Sequence, residues 1–413
     1  EPRTWALDPS GVFPLEGVQR DALFAPEASA ITSQHGDMLH LDGSHLRARI
    51  ALDPFAITWE QRDDNNQWSF CCGDRAESYA YAISERTGTL WHWQQRDPAQ
   101  DRYFGLGDKT GPLDLHGRRL RTRMLDALGY DAKTGDPLYK HWPFFLNHRN
   151  GNACGQYYDT LAECTFDFGA EHDNYHGRYR ATEIADGDFD CYVFAGPSLR
   201  EALARFVAAI GGTALPPRWT LGFANTAMGL ADAADAQAQI RGFLGHAEKD
   251  GFPLSSFHFG SGYTSRGKQR YVFTWNNDKF PEPKKLLADF AKAGVRTVAN
   301  LKPCLLDDHP AYAQLAADGA FVRDSHGDGV PCLEQFWDGW GAHLDFTRDG
   351  DRAWWQTKLQ EQVLDIGIDV GWNDNNEYEI WGEGARAHGF GQALAVPRSR
   401  PLQPLLMTRA TYD

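Results

Sequence analysis

Gly367-Ile368-Asp369-Val370-Gly371-Trp372-Asn373-Asp374-Asn375-Asn376-Glu377 is the stretch that decides the fold of this chain. It opens as a short apolar run, of the kind a buried parallel strand needs, and turns abruptly into a carboxylate, amides and an aromatic. A strand tip facing a polar pocket has this pattern. In a β/α barrel the reacting groups sit at the C-terminal strand ends, which is where Asp374 falls. Taken alone, the segment reads equally well as a strand running into a polar turn.

Working outward, the residues from Pro216 onward alternate between strand and helix patterns. Strands are expected at Arg218 to Asn225, Ser255 to Phe259, Val295 to Leu301 and Ile366 to Trp372. Helices are expected at Asp232 to Lys249, at Pro283 to Lys292 closed by Gly294, and at Asp351 to Leu364. Successive β/α units imply a parallel sheet with right-handed crossovers. A complete barrel takes eight units in about 250 residues, and only about 200 residues run from Pro216 to Asp413. The expectation is therefore a (β/α)8 TIM barrel of which only about the first four units are present, in a chain incomplete at its C-terminus.

Before Pro197 the texture is different: short alternating runs broken by Gly, Pro and Asp-Asn, such as His45 to Leu52, Tyr79 to Ser84 and Tyr179 to Ile184. These predict an antiparallel β-sandwich. Ser198 caps a predicted helix carrying Leu199, Leu203, Phe206 and Ile210 on one face. Gly211-Gly212 ends it, and Thr213 to Pro217 reads as a linker. The domains so drawn are 1–212, the β-sandwich, and 213–413, the first half of the barrel.

Composition narrows the function. The formal charge is −15, with no basic cluster, which argues against nucleic acid and anionic membranes as partners. No apolar run approaches the roughly 18 residues of a membrane span. Seven cysteines, at 71, 72, 154, 164, 191, 304 and 332, form no CxxC pair and read as buried thiols. A reducing, cytoplasmic setting is the expectation, while the first residue, Glu1, leaves a periplasmic or secreted one open. The histidines lack metal-ligand spacing, and the acidic run Ile184 to Asp190 lacks the closing Glu of a calcium loop and reads as a solvated turn. No cofactor and no metal are expected.

Five segments together resemble the glycoside hydrolases of family 31, the α-glucosidase and α-xylosidase family. Trp372-Asn373-Asp374-Asn375-Asn376-Glu377 is similar to the family's Trp-x-Asp-Met-Asn-Glu nucleophile motif, with Asn375 where Met is usual. Phe104 to Lys109, Leu215 to Phe223, Phe273 to Pro281, and Leu344 to Thr347 followed by Trp354-Trp355 complete the series in order. The resemblance implies retaining cleavage or transfer at an α-glycosidic bond, by a carboxylate nucleophile and a second carboxyl about 5 Å away. It makes Asp374 the nucleophile. The acid/base is expected beyond Asp413, because Glu377, Glu379, Glu383 and Asp413 lack the family's Gly-Asp-Asn context.

The resemblance also implies a substrate contact from Asp126, with Glu377 supporting the nucleophile; by their own places in the chain, Tyr263, Trp275, Lys302 and Trp372 are further candidates for substrate contact and Asn375 for support of Asp374. Asp126 alone reads as a turn residue, Trp275 as core, and Lys302 as a partner that orients Asp374 or Glu377. One departure concerns the sugar. Most members carry Asp-x-Asp-Tyr at the second strand, and this chain has Gly260-Ser261-Gly262-Tyr263. The resemblance implies a retaining hydrolase of α-glucosides or related α-linked oligosaccharides, and the expected ligand is an oligosaccharide or α-glycoside. An α-galactosidase, a transferase, or a carbohydrate-binding protein without catalysis are the alternatives.

Overall fold

The computed structural model describes residues 31–413 except 64, 84–87, 174, 188, 325–328 and 383. The chain forms two compact units, Glu1–Thr213 and Ala214–Asp413.

In the first unit every strand pairing is antiparallel. A nine-stranded sheet runs in the spatial order Ile31–His35, Met38–Asp42, Leu46–Leu52, Phe55–Arg62, Trp68–Ile83, Gly88–Gln95, Tyr179–Ile184, Cys164–Asp167, Arg119–Arg121. A second sheet has the order Cys191–Gly196, Asn152–Tyr158, Phe144–Arg149, Arg102–Gly105. Alternation turns one side chain in two of each sheet toward the other. Tyr103, Phe145 and Tyr158 of the smaller sheet thus cluster with Cys164, Phe166 and Ile184 of the larger.

The outer face of the smaller sheet is covered by the helix Leu199–Ile210. Ser198 caps it, with Ser198 Oγ accepting from Glu201 N at 3.3 Å and donating to the Glu201 carboxylate at 2.8 Å. Phe206 is its anchor, stacked on Phe144 with ring centroids 3.7 Å apart. Leu203 departs from the expected stripe: it is exposed, and Ala202 is buried in its place. The acidic turn departs too. Asp186 is only 3% exposed, and its carboxylate accepts from Gly88 N, so it ties two strands together instead of facing solvent.

The second unit is built on four parallel strands in sequential order: β1 Phe223–Thr226, β2 Leu254–Phe259, β3 Arg296–Leu301 and β4 Val370–Asn373. They alternate with helices α1 Ala236–Lys249, α2 Pro283–Lys292, α3 Asp349–Leu359 and α4 Leu402–Tyr412. Gly294 stops α2 by taking φ 72°, which a residue with a side chain adopts at a cost. One face of the sheet packs on helices: Phe257 meets Phe243 and Phe290, and Phe259 meets Phe290. By period two, Ser256 and His258 take the other face. The four strands do not close on themselves among the described residues. Between β3 and α3 the chain makes a small antiparallel sheet of Cys304–Leu306, Trp340–His343 and Glu334–Gln335.

No helix among the described residues is long and apolar enough to cross a membrane.

Candidate active site

The tips of β3 and β4 lie side by side, with Asn300 in register with Trp372 and Leu301 with Asn373. Alternation then sorts the side chains. Asn373 points to the helices, where its amide oxygen accepts from Thr411 of α4 at 3.1 Å. Trp372 and Asp374 point the opposite way, as do Asn300 and Lys302. Asp374 Oδ2 accepts from Asn300 Nδ2 at 2.8 Å and from Lys302 Nζ at 2.9 Å. Its Oδ1 takes no hydrogen bond among the described residues. Lys302 also donates to Asn375 Oδ1. Asn375 holds a left-handed φ of 51°, which turns its amide back over the strand tip. One oxygen of Asp374 is thus anchored and the other is available.

Other side chains fall around this group. The Trp372 ring lies 6.2 Å from that of His258, centroid to centroid. Burial pushes His258 below the usual imidazole range, which favours the neutral ring. Asp338, in the turn of the small sheet, lies 4.0 Å from Arg270. Burial raises its carboxyl above the ordinary range, against the opposing pull of Arg270 and Lys302. Lys302, Asp338 and Asp374 all act on the Cys304 thiol, which burial pushes up to about 12. Sequence reasoning missed Asp338, because only the fold of the small sheet carries it here.

The Gly260-Ser261-Gly262 strand end has a steric explanation. A Cβ on Gly260 would stand 2.5 Å from Met228 Sδ, and one on Gly262 would stand 2.5 Å from Asp232 Oδ1 and 2.6 Å from the Ala231 backbone. The short helix Met228–Asp232 is pressed against this strand end, and only glycine leaves it room. Asp232 is in turn held by Arg270, with both carboxylate oxygens 3.3 Å from Nη2. A carboxylate therefore stands directly in front of Gly262, supplied from the loop after β1.

The remaining expected residues are placed as follows. Tyr263 is 1% exposed and donates its hydroxyl to the Asn300 carbonyl at 2.9 Å, so its place is beneath the site. Trp275 is 7% exposed, packs on Tyr263 at 4.8 Å, and donates to the Gln362 carbonyl at 2.8 Å. With Phe273 and Trp354 it lines a cavity of about 570 Å³ beside α3. Glu377 is half-buried beyond the tip of β4. Asp126 belongs to the first unit, half-buried in the loop after Arg119–Arg121. Asp413 pairs with Arg409 at the end of α4, and Glu383 lies outside the described residues.

Comparison with known proteins adds an independent line. Residues 213–413 match the model of the glycosyl hydrolases family 31 TIM-barrel domain. Residues 1–167 match that of the glycosyl hydrolase 31 N-terminal galactose mutarotase-like domain. Alpha-glucosidase 2 of Bacillus thermoamyloliquefaciens is 31% identical over 289 residues, which are 68% of this chain and 34% of that protein. Alpha-xylosidase XylQ of Lactiplantibacillus pentosus is 26% identical over 274 residues, 65% of this chain and 33% of its own. A family 31 dextranase of Flavobacterium johnsoniae, solved in complex with glucose, superposes with a TM-score of 0.75 at 21% identity, over 92% of this chain and 44% of that one. The chain thus spans between about a third and a half of the length of these relatives.

Proposed function

We propose that this chain, which belongs to glycosyl hydrolase family 31, carries the nucleophile side of a retaining α-glycosidase site, with Asp374 as the attacking carboxylate. The observation that carries the reading is the asymmetric hold on Asp374: Asn300 and Lys302 both bind Oδ2, and Oδ1 is left to attack an anomeric carbon. Attack forms a glycosyl ester at Asp374 as the glycosidic C–O bond breaks, and the leaving oxygen takes a proton from a second carboxyl group. Water or a second sugar hydroxyl then displaces the carboxylate, giving hydrolysis or transfer. The four β/α units are, in the same reading, the first half of a (β/α)8 barrel. Their sequential parallel order supports this, since it sends every crossover helix to one side of the sheet.

The substrate is an α-linked oligosaccharide or related α-glycoside. Trp372 offers an aromatic face to the sugar, and Lys302 meets a hydroxyl beside the nucleophile. Tyr263, Trp275, Glu377 and Asn375 position these groups. Asp232 takes over the carboxylate role that Gly262 lacks, from a different direction. That displacement favours a sugar other than a plain α-glucoside, and an α-galactoside is the second reading.

Mechanism-based labelling tests the proposal. The protein is treated with a fluorinated α-glycosyl fluoride, digested and mapped by mass spectrometry, alongside a panel of nitrophenyl α-glucosides, α-xylosides and α-galactosides. A glycosyl adduct on Asp374, with turnover lost in Asp374→Asn, is the expected result. Turnover retained in that variant would remove Asp374 as nucleophile. Oligosaccharide binding without turnover of any glycoside would favour a carbohydrate-binding protein.

A further inference from the structure

Cys71 and Cys72 are neighbours in a strand, and alternation should send them to opposite faces. They do not separate. Trp59 pairs with Cys72 and Glu60 with Phe70, so Cys71 is the extra residue of a β-bulge in Trp68–Ile83. The bulge turns both thiols into the space between the sheets, where Cys154 of the facing strand Asn152–Tyr158 meets them. The three sulfur atoms lie within 4.8 Å of one another, and the residues are 3%, 2% and 1% exposed. Sulfurs bound to one metal ion at about 2.3 Å in a plane stand about 4 Å apart, so small side-chain adjustments suffice.

A second observation comes from the charge around the cluster. Arg180 is a buried guanidinium, 3% exposed, that acts electrostatically on both Cys71 and Cys72. Its Nη2 donates to Gln156 Oε1, while Nε and Nη1 have no partner among the described residues. A buried cation with unused donors is costly unless negative charge stands nearby. Nothing in glycoside cleavage uses these groups.

We propose that Cys71, Cys72 and Cys154 form a trithiolate site for a soft, thiophilic d10 cation in the core of the sandwich. Binding exchanges three S–H protons, released to solvent, for three metal–sulfur bonds. With a divalent ion and Arg180, the charges of three thiolates are balanced. Thiolates rank among the ligands that select such ions over harder ones, and the site ties the two sheets together. A disulfide between Cys72 and Cys154, whose sulfurs are 3.2 Å apart, is the competing outcome.

Reduced protein, freed of metal by chelation, is titrated anaerobically with Cd²⁺ and followed by thiolate-to-metal charge-transfer absorption. Binding of one equivalent is expected, abolished in Cys154→Ala and kept in Cys332→Ser. In the wild-type chain the same equivalent is expected to release three protons, read with a pH indicator in weakly buffered solution near neutral pH. That second measurement stands even where Cys154→Ala does not fold. Absence of the band, absence of proton release, or a Cys72–Cys154 disulfide that forms in air whether or not Cd²⁺ is present would overturn the assignment.

Discussion

Lys302 Nζ donates to Asp374 Oδ2 at 2.9 Å across the tips of two neighbouring parallel strands, 72 residues apart in sequence. Asn300, two residues before Lys302 and on the same face, donates to that same oxygen. Parallel register makes the arrangement rigid: β3 and β4 are joined by backbone hydrogen bonds up to Asp374 itself, whose backbone N–H donates to the Leu301 carbonyl.

Replacing Lys302 with Met removes one charge-assisted hydrogen bond of about 1.5–3 kcal/mol. The expected result is a fall in kcat/KM of roughly 10- to 100-fold. Circular dichroism and melting temperature are expected to stay near those of the wild type, because the pair is partly solvated. An unchanged rate would show that Asn300 alone suffices to hold Asp374.

Asp232→Ala tests the displaced carboxylate. Removing it is expected to raise KM for the preferred glycoside by roughly 10- to 100-fold, the loss of a hydrogen bond to a charged group. Gly262→Asp is expected to destabilise the second unit by about 1–3 kcal/mol or more, because its Cβ meets the Ala231 backbone. Thermal denaturation reads the second effect. A stable, active Gly262→Asp variant would contradict the packing argument.

Asp351 makes the second unit sensitive to pH. It is buried at the start of α3, and burial lifts its carboxyl to about 8 despite Arg348 at 3.4 Å. A folded-state value above the unfolded one of about 4 means the folded state holds the proton more tightly. That contribution is complete below pH 4 and is lost as pH rises through 8. Asp351→Asn, a permanent mimic of the neutral acid, is expected to melt higher than the wild type at pH 9 and nearly alike at pH 5. Equal melting temperatures at both values would show that Asp351 is ionised in the fold without penalty.

In the first unit, Ser198→Ala removes both halves of the exchange with Glu201 at the start of the helix Leu199–Ile210. The expected cost is about 1 kcal/mol, read by urea unfolding. Phe206→Ala, which empties the contact with Phe144, is expected to cost about 3–5 kcal/mol.

Much of this architecture was legible along the chain, because its signals are local. Pro283–Lys292 was read with its exact limits, since proline opens that helix and Gly294 closes it. The strand at Tyr179–Ile184 was likewise read to the residue from its alternation. The fourth strand was drawn too long. Gly367 to Asp369 leave α3 through a turn in which Asp369 bonds Thr297, and only Val370–Asn373 pair along β3. The first strand was also shortened, because Arg218–Leu221 winds into a 3-10 turn ahead of Phe223.

By itself the sequence determined the β/α alternation, the change of texture near Pro216, and the nomination of Asp374. The first two depend on periodicities and turn residues that act over a few positions, whereas the nomination of Asp374 depends on five ordered segments that together resemble family 31. Tertiary structure alone decided which distant groups meet. It placed Asp232 in front of Gly262, brought Asp338 to Arg270, sank Tyr263 and Trp275 beneath the site, and gathered Cys71, Cys72 and Cys154 between two sheets. Those outcomes rest on bulges, crossovers and close packing between segments tens of residues apart, where no local pattern reports who the neighbour will be.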